Sequence, residues 1–152
     1  ARKVKRENPE LGLIIIDYLQ LMNSDRNSEN RVSEMSEISR SVKSLARDLD
    51  ITVIALSQLN RAVENRNNKR PLMSDLRESG ALEQDADLVA FVYRDEYYNE
   101  TPENKGLAEV NIAKHRNGKT GKVKLHFASN IIKFENLADN DPALSMPMNY
   151  ED

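Results

Sequence analysis

Two polar side chains follow apolar runs at a position where α/β sheets bind ligands. Asp17 comes directly after Leu13–Ile16, and Gln58 follows the run 51–56 after one serine. If both runs are parallel strands, their carboxyl ends border one crevice. A carboxylate there suits Mg²⁺, which takes one or two carboxylates with water and phosphate oxygens, and an amide there can sense a γ-phosphate or position water. The alternatives are an aspartate that starts a turn and a polar residue that leaves a strand.

A pair of cations precedes a turn signal near the end of the chain. Lys114 and Arg116 lie two residues apart, which puts them on one face of an extended segment, and Asn117-Gly118 is a strong hairpin signal. Such cations at a rigid tip can stabilise phosphate charge, as an arginine finger does. The alternative is a solvated basic hairpin. His115 is expected on the opposite face, in a structural role.

A third candidate is the segment 77–80, which holds Arg77, Glu78 and Gly80. The glycine lets the backbone approach another molecule closely, and the arginine can add a charged contact to a phosphate. The surrounding residues are acidic, so a solvated surface loop is the alternative.

One segment matches the end of a phosphate-binding loop motif but not the whole motif. Gly118-Lys119-Thr120 has the ending of G-x-x-x-x-G-K-[ST], but Ala113 occupies the place of the first glycine and a strand-like segment follows.

The segments that position these residues have either the apolar pattern of a helix or that of a strand. Apolar residues from Val32 to Leu49 recur every three or four positions, which predicts an amphipathic helix between two buried strands, and so a parallel βαβ unit. Further segments are predicted as a loop (60–73), a short helix (81–85), a strand buried on both faces like the first (88–93), a hairpin (107–114 and 122–127) and a last strand (131–134). The fold class is therefore α/β, with a mixed sheet that ends in an antiparallel hairpin edge.

Composition limits the classes of function. The 152 residues make one domain, predicted over 1–137, with an acidic tail at 138–152 that is expected to be mobile. The longest apolar run, Leu88–Tyr93, has six residues, which excludes a membrane span. The absence of cysteine excludes thiolate chemistry and suits the cytoplasm. One long helix cannot cover two sheet faces, so we expect an incomplete domain that lacks elements before its basic start.

Together these segments resemble one family. The carrying motifs are Leu13-Ile14-Ile15-Ile16-Asp17-Tyr18-Leu19-Gln20-Leu21, Ala55-Leu56-Ser57-Gln58-Leu59-Asn60-Arg61, Lys69-Arg70-Pro71 with Asp75-Leu76-Arg77-Glu78-Ser79-Gly80, Glu83-Gln84-Asp85-Ala86-Asp87, and Ala113-Lys114-His115-Arg116-Asn117-Gly118. In this order they resemble the C-terminal, RecA-like P-loop NTPase motor domain of the DnaB family of bacterial replicative helicases, over residues 11–137.

The resemblance implies a cytoplasmic homohexamer that unwinds DNA 5′–3′, with ATP and Mg²⁺ between subunits, single-stranded DNA in the channel, and a helicase loader and primase as partners. Asp17 then matches the Walker B aspartate that orders Mg²⁺, and Gln58 matches the γ-phosphate sensor. Lys114 and Arg116 match the lysine and arginine finger that reach the ATP of the adjacent subunit. The loop that holds DNA phosphates is matched by Arg77, Glu78 and Gly80.

Two departures limit this resemblance. The family's Walker A loop and catalytic glutamate lie upstream of these motifs and are not in this chain, so the chain by itself is expected to be inactive. Many relatives have proline where this chain has Lys119. The alternatives are a non-catalytic helicase fragment that binds a subunit or loader, and a phage-type RecA-like helicase.

Overall fold

A computed structural model describes residues 1–23 and 30–138, with the backbone alone at 77–79. The chain divides into two compact units, Ala1–Ala86 and Asp87–Asp152. Most of the predicted acidic tail lies outside the described residues. Among the described residues, no helix is long and apolar enough to cross a membrane.

The first unit contains the predicted βαβ arrangement. Strand β1 (Leu13–Ile16), helix α2 (Arg31–Leu49) and strand β2 (Thr52–Ala55) follow one another, and the two strands pair in parallel. The Asn30 side chain caps α2 by accepting the Val32 N–H at 3.0 Å. The helix ends at Asp50, which adopts the left-handed conformation that stops a helix.

A short helix, α1 (Arg2–Glu7), precedes this arrangement and was not expected from the sequence. None of its residues is buried, so it has no apolar stripe for a periodicity argument to detect. Polar contacts hold it instead: the Arg2 guanidinium pairs with Asp48 at 2.7 Å, and the Lys5 ammonium donates to the carbonyls of Pro9 and Leu11.

The core of the first unit lies between α2 and the segment after β1. Met35 and Ile38 of α2 pack with Leu19, and Ile16 joins them from β1. The prediction that β1 is buried on both faces is wrong, because Ile15 is 61% exposed. Successive strand residues point to opposite faces, so only one face of β1 can reach this core.

In the part of the first unit that the structure describes, three 3₁₀ turns and a short helix complete the fold. The turns span Leu19–Leu21, Arg61–Asn65 and Met73–Ser79, and α3 spans Gly80–Asp85. The segment predicted as a loop therefore contains helical turns, and the predicted short helix is confirmed.

The second unit is an antiparallel sheet. Its strands are β3 (Leu88–Tyr93), β4 (Leu107–His115), β5 (Gly121–Ala128) and β6 (Lys133–Asn136), in that spatial order. The hairpin and the α/β class are confirmed. The described strands nevertheless form two sheets rather than one mixed sheet, because β3 pairs with β4 and not with β1 or β2. Burial of β3 on both faces is also wrong, since Val92 is 58% exposed.

The connection from β3 to β4 is fixed by an acidic side chain. Glu96 accepts the Gly106 N–H at 2.6 Å and pairs with Arg94, whose guanidinium lies 3.9 Å from the ring centroid of Phe127. The Gly106 N–H, with Arg94, holds the pKa of Glu96 below its ordinary value. Gly106 has a φ of 70°, which favours glycine.

Candidate nucleotide and nucleic-acid site

The carboxyl ends of β1 and β2 bring Asp17 and Gln58 to one edge of the parallel sheet. The Leu56 N–H donates to the Ile16 carbonyl and the Leu19 N–H donates to the Leu56 carbonyl, both at 2.9 Å, so the pairing continues past both strands. Asp17 lies between these two bonds, and the peptide bond that joins it to Tyr18 is cis. Both predicted side chains are exposed, as contact with a ligand requires.

A glutamine that sequence reasoning did not single out holds this edge together. The Gln20 Nε2 donates to the Ser57 Oγ at 3.0 Å and to the Gln58 carbonyl at 3.2 Å, and the Gln58 N–H donates to the Gln20 Oε1 at 3.2 Å. Gln20 thereby bonds both backbone groups of Gln58. Its position three residues after Asp17, on the turn that follows β1, was the available signal.

A cleft lies beside this edge within the first unit. Its lining residues are Gln20, Arg31, Met35, Gln58, Leu59, Asn60, Asp75 and Leu76. The cleft therefore connects the residues after β2 with the turn Met73–Ser79, and puts polar groups from both segments on one surface.

Asp75 fixes the turn that carries the predicted DNA-contact residues. Its carboxylate accepts the Leu72 N–H at 2.8 Å and an Arg66 Nη2 hydrogen at 2.7 Å, and its carbonyl accepts the Asn60 N–H at 3.0 Å. The Asp75 side chain is only 8% exposed, so a charge-paired partner is needed to offset its burial. No pattern in the sequence connects Arg66 with this aspartate.

The three predicted DNA-contact residues lie at the end of this turn. The backbone of Arg77 and Glu78 belongs to Met73–Ser79, but their side chains lie outside what the structure describes. Gly80 begins α3 and is exposed, with φ −52° and ψ −25°. A Cβ built there meets nothing within 4 Å, so the fold does not require glycine at this position.

The predicted cations lie together at the end of β4 in the second unit. Lys114 pairs with Val89 in the ladder, and Arg116 follows β4 directly. The Arg116 Nη1 lies 2.9 Å from the Asp87 Oδ1. The turn after β4 joins two antiparallel strands, which confirms that Gly118-Lys119-Thr120 is not a phosphate-binding loop.

His115 explains the glycine of this turn. A Cβ on Gly118 would lie 2.3 Å from the His115 Cε1, so the imidazole occupies the space that a side chain would need. The hairpin tip is therefore shaped by His115 as well as by the Asn117-Gly118 pair.

The residues present fit a Mg²⁺ ion that takes a single carboxylate from this chain. Among the described residues, no three His, Cys, Asp or Glu side chains cluster to hold a metal. Asp17 offers one exposed carboxylate, which fits a Mg²⁺ ion whose other ligands are water and phosphate oxygens.

Comparison with known proteins places this geometry in a family. The family model for the DnaB-like helicase C-terminal domain matches residues 1–136. The chain belongs to this DnaB-like family. The replicative DNA helicase DnaB of Pasteurella multocida is 58% identical over 139 residues, which cover 91% of this chain and 30% of that protein. The chain thus spans about three tenths of the length of that curated relative.

Two solved structures share the DnaB-like fold. One is an isolated ATPase domain, and the other is a DnaB-like replicative helicase described with its interactions with primase. Each superposes with a TM-score of 0.86 at 51% identity, and each match covers 90% of this chain. The matches cover 49% and 34% of the respective solved chains. The architecture of this DnaB-like chain, a parallel βαβ unit and an antiparallel sheet, is therefore that of helicase ATPase domains.

Proposed function

We propose that this chain is the C-terminal part of the motor of a replicative DNA helicase, which unwinds duplex DNA 5′–3′ and hydrolyses ATP between subunits. The observation that carries the proposal is the placement of Asp17 and Gln58 at one edge of the parallel sheet of a DnaB-like domain. That edge is where α/β sheets bind nucleotides.

Asp17 and Gln58 act on the same nucleotide. Asp17 would hold Mg²⁺, and Gln58 would hydrogen-bond a γ-phosphate oxygen or the attacking water. When bound, Mg²⁺ neutralises charge that develops on the phosphate oxygens. Gln20 supports this role because it bonds the Gln58 backbone in both directions.

Lys114 and Arg116 act on the nucleotide of an adjacent subunit. Hydrolysis spreads negative charge over the transferred phosphoryl group, and a guanidinium stabilises that charge with directed N–H donors. The exposure of Arg116, whose side chain is 48% accessible, supports a contact with a neighbouring subunit.

The segment 77–80 holds single-stranded DNA. Gly80 supports this role because its backbone is exposed and its missing side chain leaves space that the fold itself does not use. Close backbone contacts to phosphates, with Arg77 and Glu78 beside them, suit an acidic chain with a net charge of −3.

The partners follow from the same proposal. Several copies of the chain must assemble because the cations and the carboxylate serve different nucleotides, and the proposed assembly is a homohexamer. A helicase loader and primase are further proposed partners, and the primase interaction is described for one structural neighbour.

The test replaces Arg116 by alanine in the full-length protein. ATP binding should persist, while hydrolysis should fall by about 10³-fold or more, the contribution of an arginine finger. Arg40→Ala, which removes an exposed arginine on α2, is the matched control and should retain activity. Near-normal turnover in Arg116→Ala would contradict the proposed function.

A further inference from the structure

The residue that precedes β3 meets the residue that follows β4. Leu88 pairs with His115 in the ladder, so Asp87 and Arg116 stand opposite each other one step beyond it. The Arg116 N–H donates to the Asp87 carbonyl at 2.8 Å, which extends the ladder by one bond. The side chains meet as well, since the Arg116 Nη1 lies 2.9 Å from the Asp87 Oδ1.

These two contacts restrict different parts of Arg116. The backbone bond fixes where its Cα lies, while the side-chain bond limits the rotamers of a long and otherwise mobile side chain. Fewer rotamers favour phosphate binding by an arginine, because its planar guanidinium must meet a phosphate at a defined angle.

The Asp87–Arg116 ion pair is too exposed to matter much for folding. The two side chains are 48% and 56% exposed, so the ion pair contributes little to folding stability. A weak ion pair also lets the guanidinium turn towards an incoming triphosphate without a large loss.

We propose that Asp87 is a positioning residue that orients the Arg116 guanidinium for the nucleotide of the neighbouring subunit. This inference rests on the proposed function, in which Arg116 reaches that nucleotide. Asp87 itself does not touch the nucleotide. Its carboxylate holds the Arg116 guanidinium beside the start of β3 before subunits complete the site.

The test measures ATP hydrolysis by full-length Asp87→Ala and Asp87→Asn. Asp87→Ala should lower kcat about tenfold with little change in KM, because misorientation acts on the reacting geometry rather than on ground-state binding. Asp87→Asn keeps an acceptor oxygen and should recover most of that loss. Both variants retain the backbone carbonyl that accepts the Arg116 N–H.

Binding of a transition-state analogue distinguishes positioning from a structural role. Asp87→Ala should weaken binding of ADP–aluminium fluoride about tenfold and leave ADP binding unchanged. Glu135→Ala, which breaks the exposed Lys133–Glu135 pair on β6, is the matched control and should change neither quantity.

A double variant shows whether Asp87 acts through Arg116. Asp87→Ala combined with Arg116→Ala should bind the analogue no more weakly than Arg116→Ala does. Additive losses, or a kcat of Asp87→Ala equal to or above that of the unmodified protein, would overturn the inference. Normal turnover in Arg116→Ala would instead reject the proposed function.

Discussion

Replacement of Gly80 by alanine should stabilise the fold and weaken DNA binding at once. Gly80 has right-handed helical dihedral angles, φ −52° and ψ −25°, and a Cβ built on it meets nothing within 4 Å. Alanine therefore fits without strain, and it also reduces the conformational freedom of the unfolded chain.

The gain in stability can be estimated from this geometry. A glycine replaced at a compatible position gives about 0.4–1 kcal/mol. Local opening of α3 should then be about two- to fivefold less frequent. The Ala86 amide, which donates to the Leu82 carbonyl at 3.0 Å, should exchange its hydrogen correspondingly more slowly in the full-length protein.

The loss in DNA binding follows from the space that the new methyl group takes. If a phosphate approaches the Gly80 backbone, a Cβ displaces it and removes a hydrogen bond to a charged group. That bond contributes about 1.5–3 kcal/mol, so affinity for single-stranded DNA should fall by about 10- to 150-fold. Titration of labelled DNA at several salt concentrations measures this loss.

Two other glycines provide controls. Gly121 also has open space around its Cβ position, so Gly121→Ala should leave DNA affinity unchanged. Gly106 has a φ of 70°, and a Cβ there would lie 2.8 Å from the His126 Cε1, so Gly106→Ala should destabilise the second unit. Unchanged DNA affinity in Gly80→Ala, or faster exchange at the Ala86 amide, would show that this account of Gly80 is wrong.

Three further outcomes are expected in the full-length protein. Gln20→Leu removes the bonds to the Gln58 backbone and should lower kcat for ATP hydrolysis by about tenfold, whereas a normal kcat would show that Gln20 does not position Gln58. Glu96→Gln should reduce the loss of folding stability that occurs below about pH 4.3, the ordinary glutamate pKa. The Gly106 N–H depresses the pKa of Glu96, so the stabilisation by Glu96 is complete above that pH and is lost as pH falls. Equal dependence of the unfolding free energy on pH in the two proteins would contradict this expectation. Ile132→Gly should raise the free energy of unfolding by about 1 kcal/mol, because Ile132 is 81% exposed and has a φ of 52°. An unchanged or lower denaturation midpoint would count against backbone strain at this turn.

Elements that carry a strong local pattern could be predicted from the sequence. Helix α2 has an apolar stripe that meets Leu19, and the Asn117-Gly118 signal marks the turn between β4 and β5. Helix α1 could not be predicted in this way because its residues are exposed and its contacts are polar.

In the candidate site, too, some features could be predicted from the sequence and others could not. Asp17 and Gln58 could be placed at one sheet edge from the sequence, because parallel strands share the direction of their carboxyl ends. The hydrogen bonds of Gln20 to Gln58 could not be predicted, since they join residues 38 positions apart that no periodic pattern relates.

Residue types and their order were enough to identify the candidate reactive groups: a carboxylate and an amide after apolar strands, and two cations before a tight turn. The contacts that hold Gln58, the turn Met73–Ser79 and Arg116 are seen only in the folded chain. Gln20 bonds the Gln58 backbone, Arg66 pairs with the buried Asp75, and Asp87 pairs with Arg116. The reason is physical. Strand and helix periods follow from local backbone geometry, whereas these polar contacts join atoms that come within 3.2 Å of each other only after separate segments of the chain have packed.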